Sequence, residues 1–318
     1  MMKETNNIEL FYDYFDSIAM YLYDVNKHPY LESMNLAFQY LLEDYIDFPL
    51  DEQGLAYVKQ EKNKIIEVEF TPEEIRKAVQ LGLLKGYKHM NVSNAFLTPD
   101  TLGLFMSYLI KKLYDEPIQF VLDPMVGSGN LVYTVLNDIE QDARVIGVDN
   151  DKLKCELARN LGDLMDYDNQ IFMQDTLSFF ANEIDLIVLD LPIQEEKEVY
   201  LPYQIISHHL DSLASEKFMF VVIENDFFEQ KQMEIFKKEL DVKAHMFGLI
   251  KLSETLFKNA EKSILILQKK ANKEDKLTDF LLINLPSFED QEGMELTIQQ
   301  IELWFKKRKE EKNESNSC

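Results

Sequence analysis

The chain has 318 residues, 46% hydrophobic and 12% aromatic, a composition that excludes a disordered chain and suits one large α/β domain plus a smaller one. Its 57 acidic residues against 33 basic ones leave a net charge of −24. A protein that grips nucleic acid unaided usually presents a basic face, so this balance disfavours strong independent DNA binding. Residues 8–90 read as helical, because Ile8, Leu10, Phe11, Tyr14, Phe15, Ile18 and Leu22 recur at three- and four-residue spacing and "YLESMNLAFQYLLEDYI" repeats the pattern. The aromatic stripe at 11–15 reads as a helix face packed on a core or partner. "KIIEVEF" reads as either a short strand or an extended linker. "TPEEIRKAVQLGLLKG" carries a helix start, with Thr71 as cap, Pro72 in the first position and Glu74 closing a capping box, and Gly86 reads as its stop.

From about residue 95 short β-rich runs alternate with helical stretches: "IQFVLD" (118–123), "ARVIGVD" (143–149), "NQIFMQD" (169–175), "DLIVLD" (185–190), "KFMFVVIE" (217–224), "VKAHMFGLI" (242–250) and "KSILILQ" (262–268). This alternation predicts a Rossmann-like, doubly wound α/β sheet of seven strands. Only "KLSETLFKNAE" separates the last two runs, too little for a crossover helix, so they are expected to form an antiparallel hairpin at the sheet edge. The predicted organisation is a helical domain over 1–94, an α/β domain over 95–270, and an extension over 271–318 with a helix and the charged run "KKRKEEKNE". No run of 18 apolar residues predicts a membrane span. Two cysteines, Cys155 and Cys318, make neither a disulfide framework nor a zinc site. "MMKETNNIELFYDYFD" lacks the basic region and cleavage pattern of a signal peptide, so a cytoplasmic location is expected.

"VLDPMVGSGNLV" places a strand, then Asp123-Pro124, then Gly127-x-Gly129, then a helix. The glycines allow a sharp turn and a close ligand approach. A dinucleotide fingerprint would put a third glycine at 132, where Val132 stands, and a carboxylate before the loop would repel a pyrophosphate. The arrangement suits a ligand with a cationic part, such as S-adenosylmethionine (SAM). Asp149 ends the second strand, where a carboxylate can accept both ribose hydroxyls; Asp175 ends the third, within reach of an adenine amino group; Asp190 ends the fourth. Four strands that each finish on an acid at one sheet edge form a joint signal that no single acid would give. His208-His209 reads as a helix surface pair rather than a metal site, and no metal is expected. Cys155 reads as a packing residue.

On these motifs the chain resembles the class I SAM-dependent methyltransferases of the adenine-N6 type, and more closely the modification subunit of type I restriction systems and the YtxK-like proteins. "NAFLTPDTLGLFMSYLI" resembles the family segment whose Thr-Pro, here Thr98-Pro99, helps hold the methionine part of SAM. "LDPMVGSGNL" resembles the family's loop, with Asn130 and Leu131 after the glycines. "GVDNDKLKCELARNL" matches the ribose segment, with Asp149 and Asn150, and "MQDTL" the adenine segment, with Asp175 and Thr176. "VVIENDFF" and "GLIKLSETLFKNAEKSILILQKK" resemble the later strands. The likeness covers about residues 90–270.

The family's catalytic motif is Asp or Asn, then Pro, Pro and an aromatic. Here it reads Asp190-Leu191-Pro192-Ile193, followed by Gln194, Glu195, Glu196, Lys197 and Glu198. The resemblance implies that the Asp190 carboxylate and the Leu191 carbonyl would accept the two hydrogens of an amino group, localising its lone pair toward the methyl. The missing aromatic removes a plate for a flipped base, worth about 1–3 kcal/mol. Tyr200 and Tyr203 are read either as substitutes for that plate or as amphipathic helix residues. Three functions follow: an adenine methyltransferase of low activity on DNA, a methyltransferase for another amino group such as a protein amide, and a SAM-binding protein with weak or no catalysis. Nucleic acid is expected to bind weakly to the chain alone, with any sequence specificity supplied by a separate specificity subunit or other partner.

Overall fold

The computed structural model describes residues 6–45, 48–90, 98–191, 200–253, 262–272 and 279–315. Four helices come first: α1 (Asn7–Asn26), α2 (Tyr30–Glu43), α3 (Glu52–Asn63) and α4 (Pro72–His89). They are followed by α5 (Asp100–Leu113), β1 (Phe120–Asp123), α6 (Asn130–Ile139), β2 (Arg144–Asp149), α7 (Lys152–Leu164), β3 (Asn169–Met173), β4 (Ile184–Asp190), α8 (Leu201–His209), β5 (Leu213–Glu224), α9 (Met233–Lys243), β6 (Ala244–Lys251), β7 (Lys262–Lys269), β8 (Leu281–Asn284) and α10 (Gln291–Ser315). The strands form one sheet in the order β3-β2-β1-β4-β5-β7-β6-β8. Contacts cluster into two units, Met1–Ser107 with Val126–Asp175, and Tyr108–Met125 with Thr176–Cys318.

In the first unit the apolar stripe of α1 is buried: Phe11, Tyr14, Phe15, Ile18, Ala19 and Leu22. The aromatic stripe therefore lies in a core. Helix α4 begins as predicted, with the Thr71 hydroxyl accepting from the Glu74 N–H and the Glu74 carboxylate accepting from the Thr71 N–H. It does not stop at Gly86 but runs on to His89. Gly82 and Gly86 sit one turn apart on its packed face. A Cβ at Gly82 would meet Phe15 and Met34, and one at Gly86 would meet Leu31, so the glycines flatten α4 for close packing on α1 and α2. "KIIEVEF" forms turns and extended chain rather than a strand. Two buried amides tie α2 to α7: Asn160 Nδ2 donates to Asn35 Oδ1 at 2.7 Å, and Asn35 Nδ2 donates to Glu156 Oε2 at 3.2 Å. Strands β2 and β3 pair in parallel, from Val145 with Asn169 to Asp149 with Met173.

In the second unit β1, β4 and β5 run parallel, and residues 186–189 of β4, 218–223 of β5 and 262–267 of β7 are buried, as expected for strand segments covered on both faces. The expected antiparallel pairing of β6 and β7 is present, but β7 lies between β5 and β6 and is antiparallel to both. An eighth strand, β8, comes from the C-terminal stretch and pairs in parallel with β6. The hairpin therefore does not end the sheet; β8 is outermost on that side.

Candidate active site

The first unit carries the glycine loop and the end of β2. Gly127 and Gly129 both have positive φ, +53° and +86°, conformations that disfavour a side chain. At Gly127 nothing among the described residues lies within 4 Å of where a Cβ would be, so the described structure leaves that side of the loop open. At Gly129 a Cβ would come 2.6 Å from the Tyr133 ring, so the turn into α6 needs glycine for space as well as for conformation. The Asp149 carboxylate, only 9% exposed, accepts the Gly127 N–H at 3.1 Å on one oxygen and the Asp151 N–H at 2.9 Å on the other. Each oxygen keeps a lone pair for another donor. Asn130 opens α6, and its Nδ2 donates to the Thr98 carbonyl at 2.9 Å, which brings the Thr98-Pro99 segment to the loop. Leu131 is buried, while Asn150 is exposed. Asp175 lies just past β3 and is exposed. Cys155 is buried on α7, with its thiol donating to the Asp149 carbonyl, and burial pushes that thiol up.

The second unit carries the ends of β1, β4 and β5. Asp123 and Pro124 are buried, and the Asp123 carboxylate accepts the Met125 N–H at 3.0 Å. Asp190 ends β4, and Leu191 donates its N–H to the Val222 carbonyl at 3.2 Å. Pro192, Ile193 and the acidic residues 195, 196 and 198 lie outside the described residues. Asp190 is ion-paired: Lys262, the first residue of β7 and 6% exposed, donates from Nζ to Asp190 Oδ1 at 2.8 Å. Glu224 stands opposite Lys262 in the β5–β7 register. Burial, then the charges of Asp226 and Asp190, push the Glu224 carboxyl up, against a downward pull from Lys262.

Neither tyrosine offers a free plate. Tyr203 is 5% exposed, stacked on Phe236 at 4.4 Å between centroids and edge-on to Phe227, and its hydroxyl donates to the Phe227 carbonyl. Tyr200 caps α8, is 8% exposed and packs edge-on against Tyr203 and Phe227. The histidine pair is not a surface pair. His209 is fully buried, with Nε2 at 2.8 Å from the Thr176 hydroxyl and Nδ1 without a partner among the described residues. Burial, followed by the neighbouring His208, lowers its pKa to about 3, so it is neutral. His208 Nε2 donates to the Phe179 carbonyl at 2.7 Å. Among the described residues no group of three or more His, Cys, Asp or Glu side chains is placed to hold a metal.

Two functional candidates were not read from the sequence. Lys262 lies 72 residues from Asp190, and its only signal was a basic residue at the carboxyl-edge end of an apolar strand. Arg76 lies on the buried face of α4, between Ile75 and Ala78, and bonds to Asn130. A charged residue inside a run of buried positions was the clue.

Residues 9–87 match the family model described as the YtxK N-terminal helical domain. The uncharacterized protein YtxK of Bacillus subtilis (strain 168) is 32% identical, over 96% of this chain and 100% of that protein. A crystal structure from Listeria monocytogenes, of a protein assigned to the class I S-adenosylmethionine-dependent methyltransferases, is 28% identical with a TM-score of 0.84, over 94% of this chain and 99% of that one. The methyltransferase subunit of a type I restriction-modification system from Streptococcus thermophilus shares the fold at 16% identity, with a TM-score of 0.60 over 93% of this chain and 74% of that one.

Proposed function

The chain belongs to the YtxK-like family, and from that premise we propose that it binds SAM and transfers its methyl group to an amino nitrogen, as an enzyme of the adenine-N6 type with a detuned acceptor turn. The observation that carries the cofactor assignment is Asp149. One oxygen is ordered by the Gly127 N–H of the glycine loop and the other by the Asp151 N–H that precedes α7, and each keeps a lone pair for a ribose hydroxyl. Thr98, Pro99, Gly127, Gly129, Asn130, Leu131, Asn150, Asp175 and Thr176 are proposed to complete the binding set, with Asp123 and Pro124 serving the cationic end. The division into a helical domain to residue 94, a methyltransferase domain to 270 and an extension is part of the same proposal.

When bound, the cofactor supplies a methyl on a sulfonium, an electrophile that needs no metal. The chain's own part is to present the nucleophile. Asp190 and the Leu191 carbonyl would accept the two hydrogens of the amino group, turning its lone pair toward the methyl. The nitrogen so presented would accept that methyl, and the proton then shed by the methylated amine would pass to water. Pro192 and Ile193 belong to the same catalytic motif in this reading. The buried Lys262 ammonium on Asp190 Oδ1 and the packed Tyr200 and Tyr203 favour a second reading, a SAM-binding protein with weak transfer or one that methylates another amide. Among the described residues no helix is long and apolar enough to cross a membrane, and a cytoplasmic location belongs to the same reading.

The test has two parts. Calorimetry with S-adenosylhomocysteine should show micromolar binding; NADH binding in preference to it would remove the cofactor assignment. Labelled SAM is then offered with single-stranded adenine oligonucleotides to the wild type and to Ile193→Tyr/Glu195→Gln/Glu196→Gln. A detuned adenine site gives little transfer in the wild type and more in the variant, and Asp190→Ala abolishes the gain. Good cofactor binding with no transfer in either form moves the second reading ahead.

A further inference from the structure

We propose that Arg76, a residue of the N-terminal helical segment, is a positioning residue for the glycine loop and acts through Asn130; the proposal rests on the reading that this loop holds SAM. The Arg76 side chain is 1% exposed. A guanidinium carries five N–H donors and no acceptor. All five are engaged here. Nε and one Nη2 proton fork onto Glu73, at 2.8 and 2.7 Å. Nη1 and the other Nη2 proton fork onto Asp100, at 2.9 and 2.8 Å. The second Nη1 proton goes to Asn130 Oδ1 at 3.0 Å.

The last bond fixes which way the Asn130 amide points. Arg76 can only donate, so the amide oxygen must face it, and the amide nitrogen is thereby turned to the Thr98 carbonyl. Asn130 is the first residue of α6, directly after Gly129, and among the described residues that helix start has no side-chain cap. Asp100, held by the same guanidinium, lies two residues after Thr98. One buried cation from α4 therefore pins two segments about 30 residues apart in sequence, Thr98–Asp100 and Gly129–Asn130. Gln80 and Asn137 brace the two carboxylates, with Gln80 Nε2 donating to Asp100 at 2.5 Å and Asn137 Nδ2 to Glu73 at 3.0 Å. A purely structural tie would need only the two forks. The fifth donor, spent on the loop, links the helical segment to ligand binding.

The test compares the full chain with Arg76→Lys, Asn130→Asp and Asn35→Ala. Lysine keeps the charge but cannot make both forks and the Asn130 bond. Aspartate keeps an acceptor for Arg76 and loses the donor to Thr98. Asn35→Ala breaks a different buried tie of the helical segment, the one to α7. S-adenosylhomocysteine is titrated by calorimetry well below each unfolding midpoint, so that only folded molecules are read. Arg76→Lys and Asn130→Asp should each weaken binding at least tenfold, while Asn35→Ala stays within twofold. Wild-type affinity in both loop variants overturns the proposal, as does an equal loss in Asn35→Ala. If the wild type itself does not bind, the cofactor reading fails, and amide exchange at Gly129–Leu131 decides the positioning role. Protection lost in Arg76→Lys but kept in Asn35→Ala supports it; protection unchanged in both, or lost in both, overturns it.

Discussion

Asp149 and Asp190 both close parallel strands, β2 and β4, and both are largely withdrawn from solvent. Asp149 is ordered by two backbone N–H groups, which are neutral donors built into the chain. Its charge stays available to a ligand that brings hydroxyls. Asp190 is met by a lysine ammonium buried beside it, and Glu224 stands across the register from that lysine. An amine that came to Asp190 would compete with a cation already bonded to Oδ1. A carboxylate held by backbone dipoles is set up to receive a ligand, whereas one held by a buried counter-charge is first of all part of the fold.

The strongest way to break this contrast is to remove the counter-charge. Lys262→Met takes the counter-charge from the Asp190 carboxylate, whose side chain is 17% exposed, and is expected to cost about 3 kcal/mol in urea unfolding. Asp190→Asn in that background should recover most of the loss. A cost under about 1 kcal/mol for Lys262→Met would mean that Asp190 does not depend on it. Next comes the ligand side. Asp149→Ala should weaken S-adenosylhomocysteine binding by about 1–3 kcal/mol, roughly 5- to 150-fold, while Asp190→Ala leaves it within about twofold. Similar losses in both would erase the division of labour between the two acids.

A smaller effect concerns His209. Its folded pKa is lowered to about 3, against an ordinary value of 6.5, because charging it would bury a cation whose Nδ1 has no acceptor among the described residues. Below pH 6.5 the unfolded chain takes up a proton that the folded chain refuses. Its stabilising contribution is therefore full above about pH 6.5 and is lost as pH falls toward 3. Between pH 7 and 5 the loss should be about 1–2 kcal/mol in denaturant midpoints, and His209→Gln should flatten that part of the profile. The smallest expected signal is duplex DNA binding by the chain alone. The net charge of −24 predicts a dissociation constant no tighter than about 1 µM at physiological salt, without sequence preference. Nanomolar, selective binding in a polarisation titration would refute this.

The parts legible in the sequence were those encoded locally. The Thr71 capping box, the apolar stripe of α1 and the acids at the ends of β1, β2 and β4 follow from spacing within a few residues. The parts that were missed depend on partners far along the chain. Gly86 looks like a stop until Leu31 is seen filling the space above it. "LLIN" looks like tail until β6 offers it an edge. His209 looks like a surface residue until Thr176 meets it. The acid that ends β4 and the asparagine that opens α6 were readable, but not what holds them, because Lys262 reaches Asp190 and Arg76 reaches Asn130 from far along the chain.

The insertion of β7 between β5 and β6 has a consequence during synthesis. A ribosome makes β5 first and β6 second, and the strand that separates them comes last. For about 38 residues of elongation, roughly 2–8 s at ordinary translation rates, the apolar edge of β5 has emerged without the neighbour that will cover it. Strand β6 cannot take that place in the final register. The nascent chain must keep "FMFVVI" from pairing with β6 or with another chain until "SILIL" arrives. The step most exposed to misassembly is thus set by the order in which the strands are made, and not by how stable the finished sheet is.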